Sequence, residues 1–252
     1  MMLARFRMPA LAFAIGAAVV APVLGLAGPA QAAVTGHGGG GPAGAHARVP
    51  SVINNTVFAG YQATVAAGSA TSSAAQYKLP ALSCTSANRA ITPVAGVAVN
   101  NFATYSAAFV FTGCQGGKAV YFPALVISGN EVNYTTTAFH AGNVIKVATK
   151  VTTAGTTVSV TDATTKVTKK RTGAGASSSA AYVGDSDWAV NGTILGVPSF
   201  GTLGFTSCSV DGKALAAAHP AKYQRVNGST VQITTGALSS AGTAFATHFK
   251  HS

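Results

Sequence analysis

The chain has 252 residues, 48% of them hydrophobic and only 8% charged, with 16 Lys and Arg against five Asp and Glu for a formal charge of +11. So short a list of carboxylates leaves few places for acid–base chemistry, and the one cluster, Asp185-Ser186-Asp187, stands beside the sole tryptophan, Trp188. The length accommodates one sizeable β domain.

Arg5 and Arg7 precede an apolar run from Pro9 to Leu26, and Ala30-Gln31-Ala32 supplies the small-x-small pattern of a cleavage site. Residues 1–32 are therefore expected to be a signal peptide, with a mature start at Ala33 and a secreted protein, held at most on the cell envelope. No later stretch is long and apolar enough to be read as a transmembrane segment of the mature chain. Taking the two leader arginines from +11 leaves +9. The basic residues are dispersed except Lys166, Lys169, Lys170 and Arg171, whose alternation with Val and Thr reads as a hairpin. No specific nucleic-acid site is expected, because no interleaved aromatics accompany the charge. A basic exported protein is instead suited to an anionic envelope. Residues 33–51, Gly-rich from Gly36, read as a linker. His37 and His46 are isolated within it, no metal-ligand spacing follows, and neither metal nor cofactor is expected.

Folded structure is expected over 52–252. Short runs rich in Val, Thr, Phe and Tyr, punctuated by Gly, Asn, Asp and Ser, predict strands at Thr56–Ala66, Ala75–Leu79, Tyr105–Phe111, Lys118–Ile127 and Glu131–Phe139. Further strands are expected at Val144–Thr152, Thr156–Thr161, Thr165–Lys170, Asp187–Val190, Gly201–Cys208, Tyr223–Thr234 and Ala244–Phe249. Gly129-Asn130 and Ala154-Gly155 read as hairpin turns. Only Gly212–His219 looks helical, for about two turns. The pattern predicts an all-β, two-sheet antiparallel sandwich. Three cysteines fit one disulfide and a leftover thiol. Cys84 and Cys114 end neighbouring apolar segments, yet all three pairings are open at this point.

Familiar catalytic motifs are missing. Gly196-Val197-Pro198-Ser199-Phe200-Gly201 has the wrong glycine spacing for a nucleophile elbow, and no helix follows. Gly184-Asp185-Ser186 lies late in the chain, without a downstream Asp-x-x-His. Glu131 is the only glutamate, which argues against a glycosidase pair. Asp185 and Asp187 remain, read structurally as acids satisfying backbone donors at a polar strand edge.

Taken in order, several stretches resemble the glutamic peptidase (eqolisin) family. Phe58-Ala59-Gly60-Tyr61 is similar to its opening Trp-Ala-Gly-Tyr, and Tyr77–Cys84 to its Trp-x-Val-Pro segment and following cysteine. Val94–Ala98 lies at its Trp-Val-Gly-Ile-Asp, Phe111-Thr112-Gly113 at Gln-Thr-Gly, and Ala141–Ile145 at a Gly-Asp turn. Asp187-Trp188-Ala189-Val190 falls on Glu-Trp-Ile-Val, and Pro198–Gly201 on Pro-x-Phe-Gly. The resemblance spans about Asn55 to Phe205. It implies a lectin-like (concanavalin-like) sandwich of two bent sheets, a Cys84–Cys114 disulfide, and a concave cleft holding peptide substrate, with no cofactor.

In that family a glutamate activates water and a glutamine holds the oxyanion. Asp187 occupies the glutamate position and is the candidate catalytic residue, while Phe111 replaces the glutamine. Trp188, Phe111, Phe58, Tyr61 and Tyr121 are the implied substrate-binding residues. Loss of one oxyanion donor costs about 10²–10³ in rate, and a carboxylate displaced by about 1 Å costs roughly another 10². Together they predict a loss of about 10⁴ if independent. Thr112 faces the wrong side of a regular strand to substitute, and Gln115 is expected beyond the strand's end. Three readings follow: a non-catalytic or weakly active homologue binding peptide or a cell-envelope polymer, an acid endopeptidase using Asp187, and a structural surface protein.

Overall fold

The computed structural model describes residues 52–69, 71–99, 104–175, 178–190 and 193–252. The expected signal peptide and linker lie outside them. The strands are β1 (Val52–Asn55), β2 (Phe58–Thr64), β3 (Thr71–Lys78), β4 (Arg89–Val99), β5 (Thr104–Gln115) and β6 (Lys118–Ile127). Then come β7 (Asn130–Asn133), β8 (Val144–Val151), β9 (Thr156–Asp162), β10 (Val167–Gly173), β11 (Ala180–Ser186) and β12 (Ala189–Val190). The last are β13 (Thr193–Ile194), β14 (Thr202–Val210), β15 (Lys213–Ala214), β16 (Ala221–Asn227), β17 (Thr230–Thr235) and β18 (Phe245–Phe249).

Hydrogen bonding links the strands in the path β10-β9-β8-β3-β14-β18-β17-β16-β2-β11-β4-β5-β6-β7. This path folds back so that β3, β8 and β9 pack across β4, β5 and β6. The result is the expected sandwich, with β18, β17 and β16 carrying the hydrogen-bond ladder from one layer to the other. Pairing is antiparallel throughout the path, and β1 adds in parallel to β16.

The period of two dictates the layering. In β3, Thr71, Ser73, Ala75 and Tyr77 are buried while the intervening residues are partly open, and β8 and β9 alternate likewise. One face of this first layer meets solvent. In β5 and β6 long runs are buried on both sides. The main core fills the space between layers, with Tyr77, Ile145, Val160 and Phe205 meeting Ile91, Val110, Leu125 and Val183. A second set, Phe58, Val94, Phe109, Val126 and Tyr182, lies on the far face of the second layer.

A close backbone approach fixes the middle of the second layer. Gly184 of β11 is in register with Gly60 of β2. A Cβ on Gly60 would stand 2.3 Å from the Val183 carbonyl oxygen, and one on Gly184 2.2 Å from that of Ala59. Gly60 also has φ +149°, a conformation L side chains rarely adopt. Glycine at both positions lets β11 lie tightly against β2 just before the acidic cluster.

Several expectations are corrected. Gly212–His219 forms no α-helix: Lys213 and Ala214 pair with Val210 and Ser209 as β15, leaving only the 3-10 turn Leu215–Ala218. An eight-residue segment is too short to repay helix nucleation against that pairing. Tyr223–Thr234 is a hairpin, β16–β17, not one strand. The expected Asp187–Val190 strand shrinks to Ala189–Val190, paired with β13. The β6–β7 turn falls on Ser128-Gly129, both with positive φ.

Candidate functional site

The acidic cluster sits at the end of β11, an interior strand between β2 and β4. Alternation sends Ala181, Val183 and Asp185 toward the core between the layers, and Tyr182 toward the far face. Asp185 is fully buried. Its Oδ2 accepts the Thr247 hydroxyl, while Oδ1 has no hydrogen-bond partner among the described residues. Loss of solvation raises its pKa to about 7, against the opposing pull of the Thr247 hydrogen bond and the Arg225 charge. Its position corrects the strand-edge reading: Asp185 bonds a hydroxyl inside the molecule.

Asp187 lies one residue beyond the strand and is half-buried. Its backbone N–H donates to the Val57 carbonyl (2.9 Å), and its own carbonyl accepts the Thr92 hydroxyl (3.2 Å). The carboxylate accepts from the Ser186 hydroxyl at 3.3 Å. Burial raises its pKa, and Arg225 and Ser186 partly offset the rise. Arg225 is the residue that sequence reading missed. It is 2% exposed and within electrostatic reach of both Asp185 and Asp187. Its Nη2 donates to the Leu195 carbonyl (3.2 Å), but Nε and Nη1 have no partner among the described residues. Nothing in its local sequence marks Arg225 as different from the other dispersed cations.

Phe111 and Trp188 come together. Phe111 is 1% exposed, stacks on Phe122 with centroids 4.6 Å apart, and meets the edge of Trp188 at 5.0 Å. Phe109 also contacts the indole, at 5.9 Å. Phe58 is on the same far face of the second layer, in edge contact with Tyr182 and Tyr223. These side chains form an aromatic cluster in which Phe111 and Phe58 are buried and Trp188 is half-buried.

Tyr61 and Tyr121 do not join them. Each is one residue out of phase with its neighbours Phe58-x-Gly60 and Phe122, so each points into the core between the layers. The Tyr61 hydroxyl donates to the Gly236 carbonyl (2.8 Å) and that of Tyr121 to the Pro80 carbonyl (2.9 Å). Neither hydroxyl faces the aromatic cluster. Thr112 is buried on the same core side and donates to the Val110 carbonyl. Gln115 is the last residue of β5, correcting the earlier strand end, but it is exposed.

Cys84 and Cys114 are disulfide-bonded, with Cα atoms 5.5 Å apart, and tie the end of β5 to the segment before β4. Cys208 is a buried free thiol, its pKa pushed up to about 12 by burial. Beside the Trp188 segment opens a pocket of about 500 Å³, with Thr56, Asn88, Arg89, Ile194 and Arg225 in its walls. Val190 and Ile194 are exposed at 47% and 44%. No group of three potential metal ligands gathers among the described residues, and no helix among them is long and apolar enough to cross a membrane.

The wrapped antiparallel sandwich is the fold of the glutamic peptidases. Among solved structures the chain is similar to scytalido-glutamic peptidase with a transition state analog inhibitor, at TM-score 0.62 and 15% identity over 77% of this chain and 100% of that one. It is similar also to SCP-B, a member of the eqolisin family of peptidases in complex with the tripeptide Ala-Ile-His (0.60, 16%, 77% and 100%). A third likeness is to aspergilloglutamic peptidase from Aspergillus niger (0.55, 14%, 64% and 99%). At these identities the likeness is one of fold. No protein-family model matches the chain, and no curated protein matches it in sequence.

Proposed function

We propose that this chain is a secreted, divergent relative of the glutamic peptidases that has become non-catalytic or weakly active and binds peptide or a cell-envelope polymer. One observation carries the reading. Where a peptidase of this type needs a hydrogen-bond donor opposite its carboxylate, Phe111 is buried between Phe122 and Trp188, and a phenyl ring cannot stabilise an oxyanion. A surface for a partner is the pocket lined by exposed Ile194, Leu195 and Arg225, whose Leu195 N–H donates to the Trp188 carbonyl. An export pattern, a disulfide and the secreted setting implied by the resemblance support an extracellular place of action.

A second reading, an acid endopeptidase with Asp187 as general acid and base, is favoured by the upward pKa of that half-buried carboxyl. Both are tested by assaying proteolysis of a general substrate from pH 2 to 7 with the chain and its Asp187→Asn variant, alongside tryptophan fluorescence titrations with peptides and glycans. The binding reading expects no Asp187-dependent cleavage and a fluorescence response from Trp188. Cleavage confined to acid pH and abolished in Asp187→Asn overturns it in favour of the peptidase. Unchanged fluorescence across the panel removes Trp188 from any binding site.

A further inference from the structure

We infer that the open face of the first layer, on the opposite side of the molecule from Trp188, is a docking surface for a linear acidic polysaccharide. In β8 the residues from Ile145 to Val151 that alternate with the lysines are buried, so Lys146 and Lys150 both project outward. Lys170 of β10 is in register with Ser159 of β9, and Ser159 with Ala148 of β8, between those two lysines. Lys78 of β3 is in register with Val144, the residue two before Lys146. From strand rise and spacing, Lys146 and Lys150 are about 13 Å apart along the strand, and Lys170 lies roughly 10 Å to the side. Between them β9 presents the hydroxyls of Thr157, Ser159 and Thr161.

The carboxylates that could neutralise this face are elsewhere. Asp162 is fully buried, held by Asn143 and Thr165. Asp185 and Asp187 belong to the end of β11 and Glu131 to β7. Only Asp211 comes to the rim, where it accepts the Ser72 N–H at 2.6 Å. Among the described residues no lysine of this face is paired with a carboxylate. Not every cation of the basic run contributes, because alternation splits it. Lys169 lies over the Tyr134 ring at 5.3 Å, and Arg171 donates to the Asn130 carbonyl, so both are turned to the other layer.

Charge complementarity therefore selects an anionic partner, and the intervening hydroxyls suit sugar hydroxyls. The outward positions of β3, β8, β9 and β10 carry no Phe, Tyr or Trp, so the stacking platform that single-stranded nucleic acid uses is missing.

The test measures binding of the chain to polygalacturonate fragments, neutral dextran and oligo(dT) at 50 and 200 mM salt. Four neutralised charges predict that polygalacturonate binding weakens on the order of 10²-fold between the two salt concentrations, by the counterion-release slope. The double variant Lys146→Gln/Lys150→Gln, checked for an unchanged far-UV CD spectrum, should bind at least about tenfold more weakly. Lys118→Gln/Lys213→Gln, with the same loss of charge at exposed positions off this face, should bind as the parent does. Failure to bind polygalacturonate, equal loss in the control variant, equal binding of dextran, or tighter binding of oligo(dT) would each overturn the proposal. None of these variants touches Asp187, Phe111 or Trp188, so the outcome is independent of the reading given to that site.

Discussion

Replacing Asp185 by Asn should flatten the pH dependence of stability and raise stability above neutral pH. The carboxyl is fully buried, and its pKa is about 7 in the folded chain against an ordinary value of 3.8. A raised carboxyl pKa means that the folded state holds the proton more tightly than the unfolded one. Its contribution to stability is complete below about pH 4 and is lost as pH rises toward and through 7. The difference amounts to about 4 kcal/mol at pH 8. For a domain of this size that is roughly 8–16 °C in melting temperature. Burial raises the pKa of half-buried Asp187 too, with the same sign, so its ionisation adds to the parent chain's loss. In Asp185→Asn the amide oxygen can still accept the Thr247 hydroxyl, and no charge forms. Thermal unfolding followed by far-UV CD from pH 4 to 8 checks the argument. The variant should match the parent near pH 4 and exceed it by most of that margin at pH 8. Equal losses in parent and variant across the range would refute the assignment of the effect to Asp185.

Arg225→Met removes the cation that favours ionisation of Asp185 and Asp187, so the carboxyl midpoints should move upward and the stability loss in the same melts, with its onset unchanged, should continue to higher pH; unmoved midpoints would disconnect Arg225 from the pair. Phe111→Ala deletes a ring packed against Phe122 and Trp188 and should cost about 3–5 kcal/mol in denaturant melts, with a change in Trp188 emission. Reduction of Cys84–Cys114, which closes a loop of sequence separation 30, should cost about 4 kcal/mol, and a non-reduced digest should yield the Cys84–Cys114 peptide with Cys208 unlinked. Tyr121→Phe loses only the hydrogen bond to Pro80, for about 1 kcal/mol, and should leave any ligand response of Trp188 unaltered.

The strands that sequence reading located best are those of the half-open first layer, because one dry and one wet face write a period of two into β3, β8 and β9. Two central strands escaped it for opposite reasons. β4 carries Pro93, which argues against an interior strand, yet the Tyr77 hydroxyl takes up the Pro93 carbonyl and the strand continues. β11 reads Ala-Ala-Tyr-Val-Gly-Asp-Ser and ends in turn-forming residues, but Gly184 is there for the close approach to Gly60, not for a turn. The expected strand Tyr223–Thr234 spans Asn227-Gly228, where the chain turns from β16 into β17. At the site, Asp187, Trp188 and Phe111 could be singled out from their order along the chain. Arg225 and Thr247 could not, since their partnership with the acids depends on the path that brings β16 and β18 round to β11.

The path of strands has two ends, β7 and β10, and both lie on one side of the sandwich, bridged by the Arg171 guanidinium on the Asn130 carbonyl at 2.5 Å. Unpaired strand edges are where chains rich in Val and Thr begin to assemble into fibrils. Here one terminal strand is only four residues long, and the other carries Lys169, Lys170 and Arg171 in succession. The three cations of that strand thus place like-charge repulsion where intermolecular sheet growth would nucleate. Neutralising that trio should increase aggregation at temperatures below the unfolding transition, as light scattering during a thermal ramp would show.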